Sequence, residues 1–201
     1  MNFSHLDDIA KKLMLGRRSH VERDIGHVYH HGKRVMNSIV ELRSRITDDA
    51  SHDELLKAAA LFHDCGKGIE PHDVSGSALI GEFLSGELSS DEIQEVQRLV
   101  RHHDKRGCAD DDIWRKLLQD ADMLDHFGTM DVWLNFLYAA YHNEPLEEAM
   151  QYMREEYPSD CIGYRKLLNF DESKRIFDEK AAFTRSFYER LAKESAGEYM
   201  I

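Results

Sequence analysis

The spacing of apolar residues along this chain predicts a series of amphipathic helices. In the first clear segment, six residues recur at steps of three and four: Val28, His31, Val35, Ile39, Leu42 and Ile46. Ser51 and Glu54 have the spacing of a capping box, so we expect the next helix to begin near residue 52 and to stop at Gly66. Ser89 and Glu92 repeat this spacing. A second stripe follows them at Ile93, Val96, Val100 and His103.

The second half of the chain continues the helical pattern. Acidic residues 110–112 suit the N-terminus of a helix, which we expect to run to Gly128. Pro145 fits the first turn of a further helix, Pro158 marks a break, and a last long helix is expected over about 171–195. No segment alternates as a strand does. We therefore predict an all-α single domain over residues 1–201, with a helical core over about 20–130 and C-terminal helices over about 131–201.

Composition and charge narrow the classes of partner. The formal net charge is −12, with 42% hydrophobic and 32% charged residues, which indicates a folded globule. Such a surface repels polyanions, so we expect no binding to polymeric nucleic acid. The longest apolar stretch lies around Val132 to Tyr141, and Asn135 interrupts it. Because this stretch is too short to cross a bilayer, we expect no membrane association.

The cysteines and the N-terminal residues predict a cellular compartment. Cys65, Cys108 and Cys161 are odd in number and widely spaced, so they form no disulfide framework and favour a reducing environment. The first residues carry neither a basic segment nor an apolar one of the kind that begins a secretory signal. The expected location is the cytoplasm.

The most informative chemistry lies at His63-Asp64, which ends an apolar run. Burying an imidazole and a carboxylate together is costly unless a cation pairs with them. Three further segments offer inward-facing ligands: His31 on the first stripe, His103 on the second, and Asp122 four residues after Leu118. A single histidine on such a stripe is usually a core residue with a backbone partner. The joint pattern instead favours a shared divalent cation.

Helical spacing also ranks neighbouring candidates. His103 is favoured over His102 because it continues the stripe, and adjacent helical residues cannot share a direction. His30 is set aside because it points about 100° away from His31. Asp120 ranks below Asp122 but stays open.

Four segments stand in a fixed order along the chain: His31-Gly32-Lys33-Arg34-Val35, His63-Asp64-Cys65-Gly66-Lys67, His72-Asp73-Val74-Ser75-Gly76 and Ala121-Asp122-Met123-Leu124. This order resembles the signature of the HD superfamily of metal-dependent phosphohydrolases. The match spans about residues 20 to 130. The C-terminal part, including Arg165-Lys166-Leu167-Leu168, resembles the last helices of small bacterial HD hydrolases. The resemblance implies a single HD-domain helical bundle with additional C-terminal helices.

The resemblance also implies four metal ligands: His31, His63, Asp64 and Asp122. In members that hold two metals, two further histidines join and the aspartate of the His-Asp pair bridges the ions. His72 and His103 fall at those two positions. Imidazole and carboxylate ligands together suit Fe, Mn, Zn, Co or Ni, and one ion or two are both open.

Basic residues near these segments are candidates for contacting a substrate. Lys67 could bind phosphate oxygens or protonate a leaving group, although a solvated lysine at a helix end is an equally good interpretation. Arg34, three residues after His31, is a second candidate for phosphate binding, and a surface charge is the alternative interpretation. Arg17-Arg18 is interpreted as a solvated basic pair. Six aromatic residues, most of them expected in the core, include candidates for stacking on a base: Trp114, Phe127, Trp133, Phe136, Tyr138 and Tyr141.

The activity implied by the resemblance is hydrolysis of a phosphomonoester or phosphodiester of a small molecule, with a nucleotide favoured. Metal-activated water would be the nucleophile, and Asp64 would hold the metal and orient that water. Two alternatives stay open: a di-iron oxygenase of the HD fold and a non-catalytic HD ligand-sensing module. Met123 departs from the family pattern, because related sequences often carry a basic residue at that position. The signatures of the cyclic-di-GMP phosphodiesterases are missing, which disfavours cyclic di-GMP as the substrate. Monomer and homodimer are both compatible with the sequence.

Overall fold

The structure is a computed structural model that describes residues 1–108 and 112–199. In this part of the chain the regular secondary structure is helical, apart from one isolated bridge between Ser85 and Leu88. The prediction of an all-α fold is confirmed. The helices are α1 (Phe3–Met14), α2 (His27–Ile46), α3 (Asp53–Phe62), α4 (His72–Phe83), α5 (Ser90–Val100), α6 (Ile113–Asp125), α7 (Thr129–His142), α8 (Leu146–Glu155), α9 (Tyr157–Leu167) and α10 (Asp171–Ser195).

The chain forms two compact units, Met1–Asp125 and His126–Ile201. In the first unit, α3 is the central helix and packs against α1, α2, α5 and α6. Its segment Ala58–Phe62 is buried, as its apolar sequence requires. The stripe predicted for α2 is also buried from Val28 to Leu42, and Ile46 at the end of the helix is half-buried.

Two glycines allow close backbone approaches in the first unit. A Cβ atom on Gly32 in α2 would lie 2.5 Å from the carbonyl oxygen of Leu61, so only glycine lets α2 and α3 come this close. A Cβ atom on Gly66 would overlap the carbonyl oxygen of His72 at the start of α4. The first approach brings α2 beside the end of α3, and the second brings the turn after α3 beside α4.

The predicted helix starts are partly confirmed. Ser89 and Glu92 form a complete capping box at α5. The capping box predicted from Ser51 and Glu54 is wrong, because α3 begins at Asp53 with His52 as its N-cap and has no side-chain cap. The Ser51 hydroxyl lies 3.0 Å from the ring Nδ1 atom of His52 instead.

Helix α6 departs from its predicted limits. Asp110 and Asp111, which were expected to open the helix, lie outside the described residues. Asp112 accepts a 3.0 Å hydrogen bond from the Arg115 N–H and so caps the first turn. The helix ends at Asp125 and not at Gly128, because Gly128 has a φ of 76° and precedes α7.

The second unit contains α7 to α10, with α10 packed against the other three helices. The last helix lies where it was predicted, at Asp171–Ser195. The expectation that most of the six aromatic residues are core residues is wrong. Trp114 and Phe127 are buried, whereas four on α7 are exposed: Trp133, Phe136, Tyr138 and Tyr141. Across the described residues, no helix is both long enough and apolar enough to cross a membrane.

Candidate metal centre

Three of the predicted ligands meet where α2, α3 and α6 approach one another. The His31 Nε2 atom lies 2.9 Å from Asp122 Oδ1 and 3.1 Å from His63 Nε2. His63 Nε2 is 3.5 Å from the same carboxylate oxygen. Because these three ligand atoms come from different helices and face one point, they form a first group that could hold a metal ion.

A second group shares His63 with the first. It consists of His63, Asp64 and His103, and all its ligand atoms lie within 4.8 Å of one another. Asp64 Oδ1 is 3.8 Å from His63 Nε2 and 3.6 Å from His103 Nε2. His63 has no exposed surface, His103 is 1% exposed and Asp64 is 6% exposed, so water does little to stabilise their charges.

Backbone hydrogen bonds fix which ring nitrogen faces the centre. The Nδ1–H of His63 donates to the Ala60 carbonyl, and the Nδ1–H of His103 donates to the Val100 carbonyl, each at 2.8 Å. In a neutral imidazole the other nitrogen, Nε2, then carries the lone pair. Both lone pairs face Asp64, so two acceptor nitrogens and a carboxylate converge. A cation satisfies all three groups, so these two nitrogens and the carboxylate fit a metal ion as ligands.

His31 is held between two carboxylates. Its Nε2 atom faces Asp122, and its Nδ1 atom lies 2.7 Å from Asp125 Oδ2. Burial lowers the pKa of His31, but the hydrogen bonds to Asp122 and Asp125 outweigh it and raise this pKa to about 10. Arg34 binds the other side of Asp125 through its Nε atom at 2.9 Å and its Nη2 atom at 2.8 Å. The carboxylate of Asp125 thus orients the ring of His31 and is itself fixed by Arg34.

The charged groups stabilise one another. Burial raises the pKa of Asp64, but the nearby imidazoles of His63 and His103 outweigh it, so the pKa lies well below its usual range. Burial lowers the pKa of His103, yet the contacts with Asp64 raise it overall. The pKa of Asp125 also lies well below its usual range, because His31 and Arg34 outweigh its burial. Such a site favours positive charge beside its carboxylates.

His72 and Lys67 lie beside the second group. His72 Nε2 is 3.7 Å from Asp64 Oδ1, but His72 is not part of either tight group among the described residues. The Lys67 Nζ atom is 3.1 Å from His72 Nε2 and 3.6 Å from Asp64 Oδ1. The side chain of Lys67 is only 19% exposed, so it faces the centre and is not a solvated lysine.

The neighbouring candidates are separated by position. His30 is exposed. His103 lies at the centre, but the reason given for choosing it was wrong: α5 ends at Val100, so His103 does not continue the helical stripe. It sits in the turn that follows, where His102 has a φ of 65°. Asp120 is fully buried, whereas Asp122 faces the Nε2 atom of His31.

The interpretation of Arg17-Arg18 as a solvated pair is wrong for Arg17. One guanidinium nitrogen donates to the Cys65 carbonyl at 2.8 Å, and another donates to the Lys67 carbonyl. Arg17 therefore holds the turn that follows His63-Asp64, and this contact joins residues about 50 positions apart in the chain. The guanidinium of Arg34 is engaged with Asp125, a contact that the sequence pattern did not predict.

Two supporting carboxylates were missed by the sequence analysis. Asp125 follows Asp122 by three residues and therefore lies on the same face of α6, a signal that could have identified it. Asp73, directly after His72, is fully buried and accepts hydrogen bonds from the Lys105 ammonium and the His102 N–H. Nothing in the local pattern around Asp73 predicts partners about 30 residues away.

Comparison with known proteins identifies the class. Residues 28–126 match the family model of the HD domain, and this segment contains all the ligand candidates described above. The chain thus carries an HD domain, and the recognition made from its motifs is confirmed. Among proteins with curated descriptions, none matches this chain.

Solved structures with the same fold come from several bacteria. An HD-superfamily hydrolase from Bacillus thuringiensis is 18% identical, with 98% of this chain and 100% of that chain covered and a TM-score of 0.66. Bacillus subtilis YpgQ in complex with ADP is 20% identical, with 94% and 97% covered and a TM-score of 0.65. The Lin1889 protein from Listeria innocua is 23% identical, with 98% of each chain covered and a TM-score of 0.61. These likenesses show that the fold is shared.

Proposed function

We propose that this protein is a metal-dependent phosphohydrolase that acts on a phosphate ester of a small molecule. The observation that carries the proposal is the pair His63 and His103, each fixed by a backbone carbonyl so that its Nε2 atom faces the carboxylate of Asp64. With His31 and Asp122 on the other side of His63, the ligand set suits Fe, Mn, Zn, Co or Ni, as one ion or two.

The chain supplies the remaining functions through named residues. A bound ion would polarise a phosphoryl oxygen and lower the pKa of a water molecule toward neutrality. Asp64 orients the attacking oxygen, since its Oδ1 atom lies between three imidazoles. Lys67 binds a phosphate oxygen or protonates the leaving group, because its ammonium lies 3.6 Å from Asp64 Oδ1 and its side chain is only partly exposed. Arg34 keeps about a third of its side chain exposed and could contact phosphate beside its bond to Asp125.

The substrate class that we propose is a nucleotide. YpgQ, which shares this fold at 20% identity, was crystallised with ADP. A bound metal with Lys67 and Arg34 beside it would also attract an anionic phosphate and overcome the repulsion due to the net charge of −12. The odd number and wide spacing of Cys65, Cys108 and Cys161 support a reducing, cytoplasmic environment for this activity.

The test begins with elemental analysis of the purified protein. A phosphate-release screen over nucleoside mono-, di- and triphosphates and cyclic nucleotides follows, with Mn²⁺ or Fe²⁺ added and with oxygen excluded. We expect about one or two metal ions per chain and hydrolysis without oxygen. Turnover that requires oxygen would assign the protein to the di-iron oxygenases, and nucleotide binding without turnover would make it a sensing module.

A pair of variants tests the role of Lys67. In Lys67→Met, loss of a charge-assisted hydrogen bond to phosphate should lower kcat/KM about 10–100-fold while the metal content stays unchanged. Lys57→Met, which removes a lysine whose ammonium packs over the Phe3 ring, is the control and should keep full activity. Unchanged kcat/KM in Lys67→Met would exclude Lys67 from substrate binding.

A further inference from the structure

Asp73 is a buried charge whose partners do not belong to the proposed chemistry. It has no exposed surface, and its Oδ2 atom accepts a 2.9 Å hydrogen bond from the Lys105 ammonium and a 3.2 Å hydrogen bond from the His102 N–H. Its other oxygen, Oδ1, is buried and has no hydrogen-bond partner among the described residues. A half-satisfied buried carboxylate is a cost to stability, so its presence calls for a role other than stability.

The partners of Asp73 lie in the turn that carries His103. This turn leaves the helical path after Val100, and His102 takes a left-handed conformation with a φ of 65°. A non-glycine residue there is strained unless its surroundings hold it. The hydrogen bond from the His102 N–H to Asp73 stabilises this conformation. The next residue is His103, whose imidazole faces Asp64.

The same turn is fixed from its other side. The Gln119 side-chain amide donates to the Lys105 carbonyl at 2.6 Å, and the Lys105 N–H donates to the His102 carbonyl at 3.0 Å. Lys105 thus contacts Asp73 through its ammonium and α6 through its carbonyl. Asp73 therefore ties the start of α4, where His72 lies, to the turn that presents His103.

We infer that Asp73 is a positioning residue: through the His102 N–H and Lys105 it sets the position of His103 and completes the ligand group of His63, Asp64 and His103. This inference rests on the proposed metal centre and extends it by naming the residue that assembles one of its two groups. The other group, formed by His31, His63 and Asp122, contains no residue of the turn that Asp73 holds.

The experiment measures Co²⁺ binding by the full chain after its metal has been removed. Asp73→Ala removes the hydrogen bonds that Asp73 accepts from the His102 N–H and the Lys105 ammonium. It should weaken Co²⁺ affinity about 10–100-fold, the usual effect of losing a partner that orients a ligand. Asp73→Asn keeps an acceptor for the His102 N–H and should lose less. Asp7→Ala is the matched control, because Asp7 also binds lysines in the first unit but has Tyr29, Lys11 and Lys33 as its partners.

A double-mutant cycle separates positioning from general damage. If Asp73 acts through His103, then Asp73→Ala adds no further loss of Co²⁺ affinity in a His103→Ala background. An additive loss in that background, or an Asp73→Ala protein with unchanged affinity, would overturn the inference. Where Asp73→Ala fails to fold, Asp73→Asn and Lys105→Met, which disturb one bond each, are used in the same cycle.

A measurement without metal distinguishes failure of this inference from failure of the proposed function. Nitrogen NMR of the histidine rings should show His103 protonated at Nδ1 in the metal-free protein, since that atom donates to the Val100 carbonyl. Asp73→Ala should change the His103 signals and leave those of His63 in place, whereas Asp7→Ala should change neither. Unchanged His103 signals would reject the positioning role. A protein with the expected signals that hydrolyses no phosphate ester would reject only the phosphohydrolase proposal.

Discussion

The two units of this protein bury polar side chains in opposite ways. In the first unit, the Nε2 lone pairs of His63 and His103 face the carboxylate of Asp64, so acceptors meet acceptors. In the second unit, the half-buried carboxylate of Asp131 accepts hydrogen bonds from the hydroxyl of Tyr157 at 2.7 Å and from the side-chain amide of Asn135 at 3.0 Å. There an acceptor meets donors, and the network is satisfied by the chain alone.

This difference shows how to distinguish a ligand site from a structural polar core. Burial alone cannot do so, because Asp64 is buried and Asp131 is half-buried, and the pKa values of both carboxyl groups are shifted. The balance of donors and acceptors can, since a cluster of acceptors is stable only when a cation joins it. Among the described residues, both groups of three potential metal ligands lie in the first unit.

The largest effect should follow from replacing the shared carboxylate. Asp64→Asn removes the ligand between His63 and His103, and the metal content should fall to a small fraction of the wild-type value. Because a catalytic metal supplies several kcal/mol of transition-state stabilisation, kcat/KM should fall by about 1,000-fold or more. Elemental analysis and the phosphate-release assay measure the two losses.

The corresponding substitution in the second unit is the control for this prediction. Asp131→Asn changes a carboxylate whose partners, Tyr157 and Asn135, all lie in its own unit. The variant should keep wild-type metal content and kcat/KM. If Asp64→Asn kept its metal, or if Asp131→Asn lost it, the distinction drawn between the two polar clusters would be wrong.

An intermediate effect should follow from replacing Asp125. In Asp125→Asn the Nδ1 atom of His31 loses its charged acceptor, and metal affinity should fall about 10–100-fold. The matched control is Asp53→Asn, because Asp53 also binds an arginine through two bonds, to Arg43 Nε at 2.7 Å and Arg43 Nη2 at 2.5 Å. Equal losses of affinity in both variants would show that breaking any arginine–aspartate pair in this unit has the same consequence. Titration with Co²⁺ measures both affinities.

Local periodicity predicted much of the fold and the burial of the central ligand candidates. The stripe of α2 places His31 inward because a helix repeats every 3.6 residues, and the capping box of α5 depends only on Ser89 and Glu92. His63 and Asp64 lie where the apolar run of α3 ends, as their position in the sequence indicated. Each of these features is determined within one helix or one turn.

Tertiary contacts determined the rest of the site. His103 was chosen by extending the stripe of α5, yet it reaches the centre through a turn whose shape depends on Asp73 in another helix. Arg17 looked solvated because its acceptors are backbone carbonyls about 50 residues away, and carbonyls leave no sequence signal. Asp125 could be placed on the face of Asp122, but its bond to His31 depends on how α2 packs against α6.

The smallest effect concerns the pH dependence of stability, which should differ in sign between the units. Burial raises the pKa of Asp7, but Lys33, Lys11 and Tyr29 outweigh it and lower this pKa to about 2. Asp7 therefore stabilises the fold above pH 3.8, and this stabilisation is lost as pH falls through about 2. For Asp131, burial outweighs its hydrogen bonds and raises the pKa above 3.8, so its favourable contribution is complete below pH 3.8 and is lost as pH rises through the folded-state pKa.

Urea unfolding of Asp7→Asn, Asp131→Asn and the wild type between pH 3 and 7 tests these signs. Relative to wild type, Asp7→Asn should be less stable by about 1 kcal/mol at pH 7 and should recover as the pH falls. For Asp131→Asn, the loss in free energy of unfolding relative to wild type should instead be largest at pH 3. The Trp114→Phe background keeps only Trp133, in the second unit, and the Trp133→Phe background keeps only Trp114, in the first unit. Tryptophan fluorescence in the two backgrounds therefore follows the two units separately. The same pH trend in both variants would mean that Asp131, like Asp7, is stabilised as an anion, and that burial does not dominate its environment.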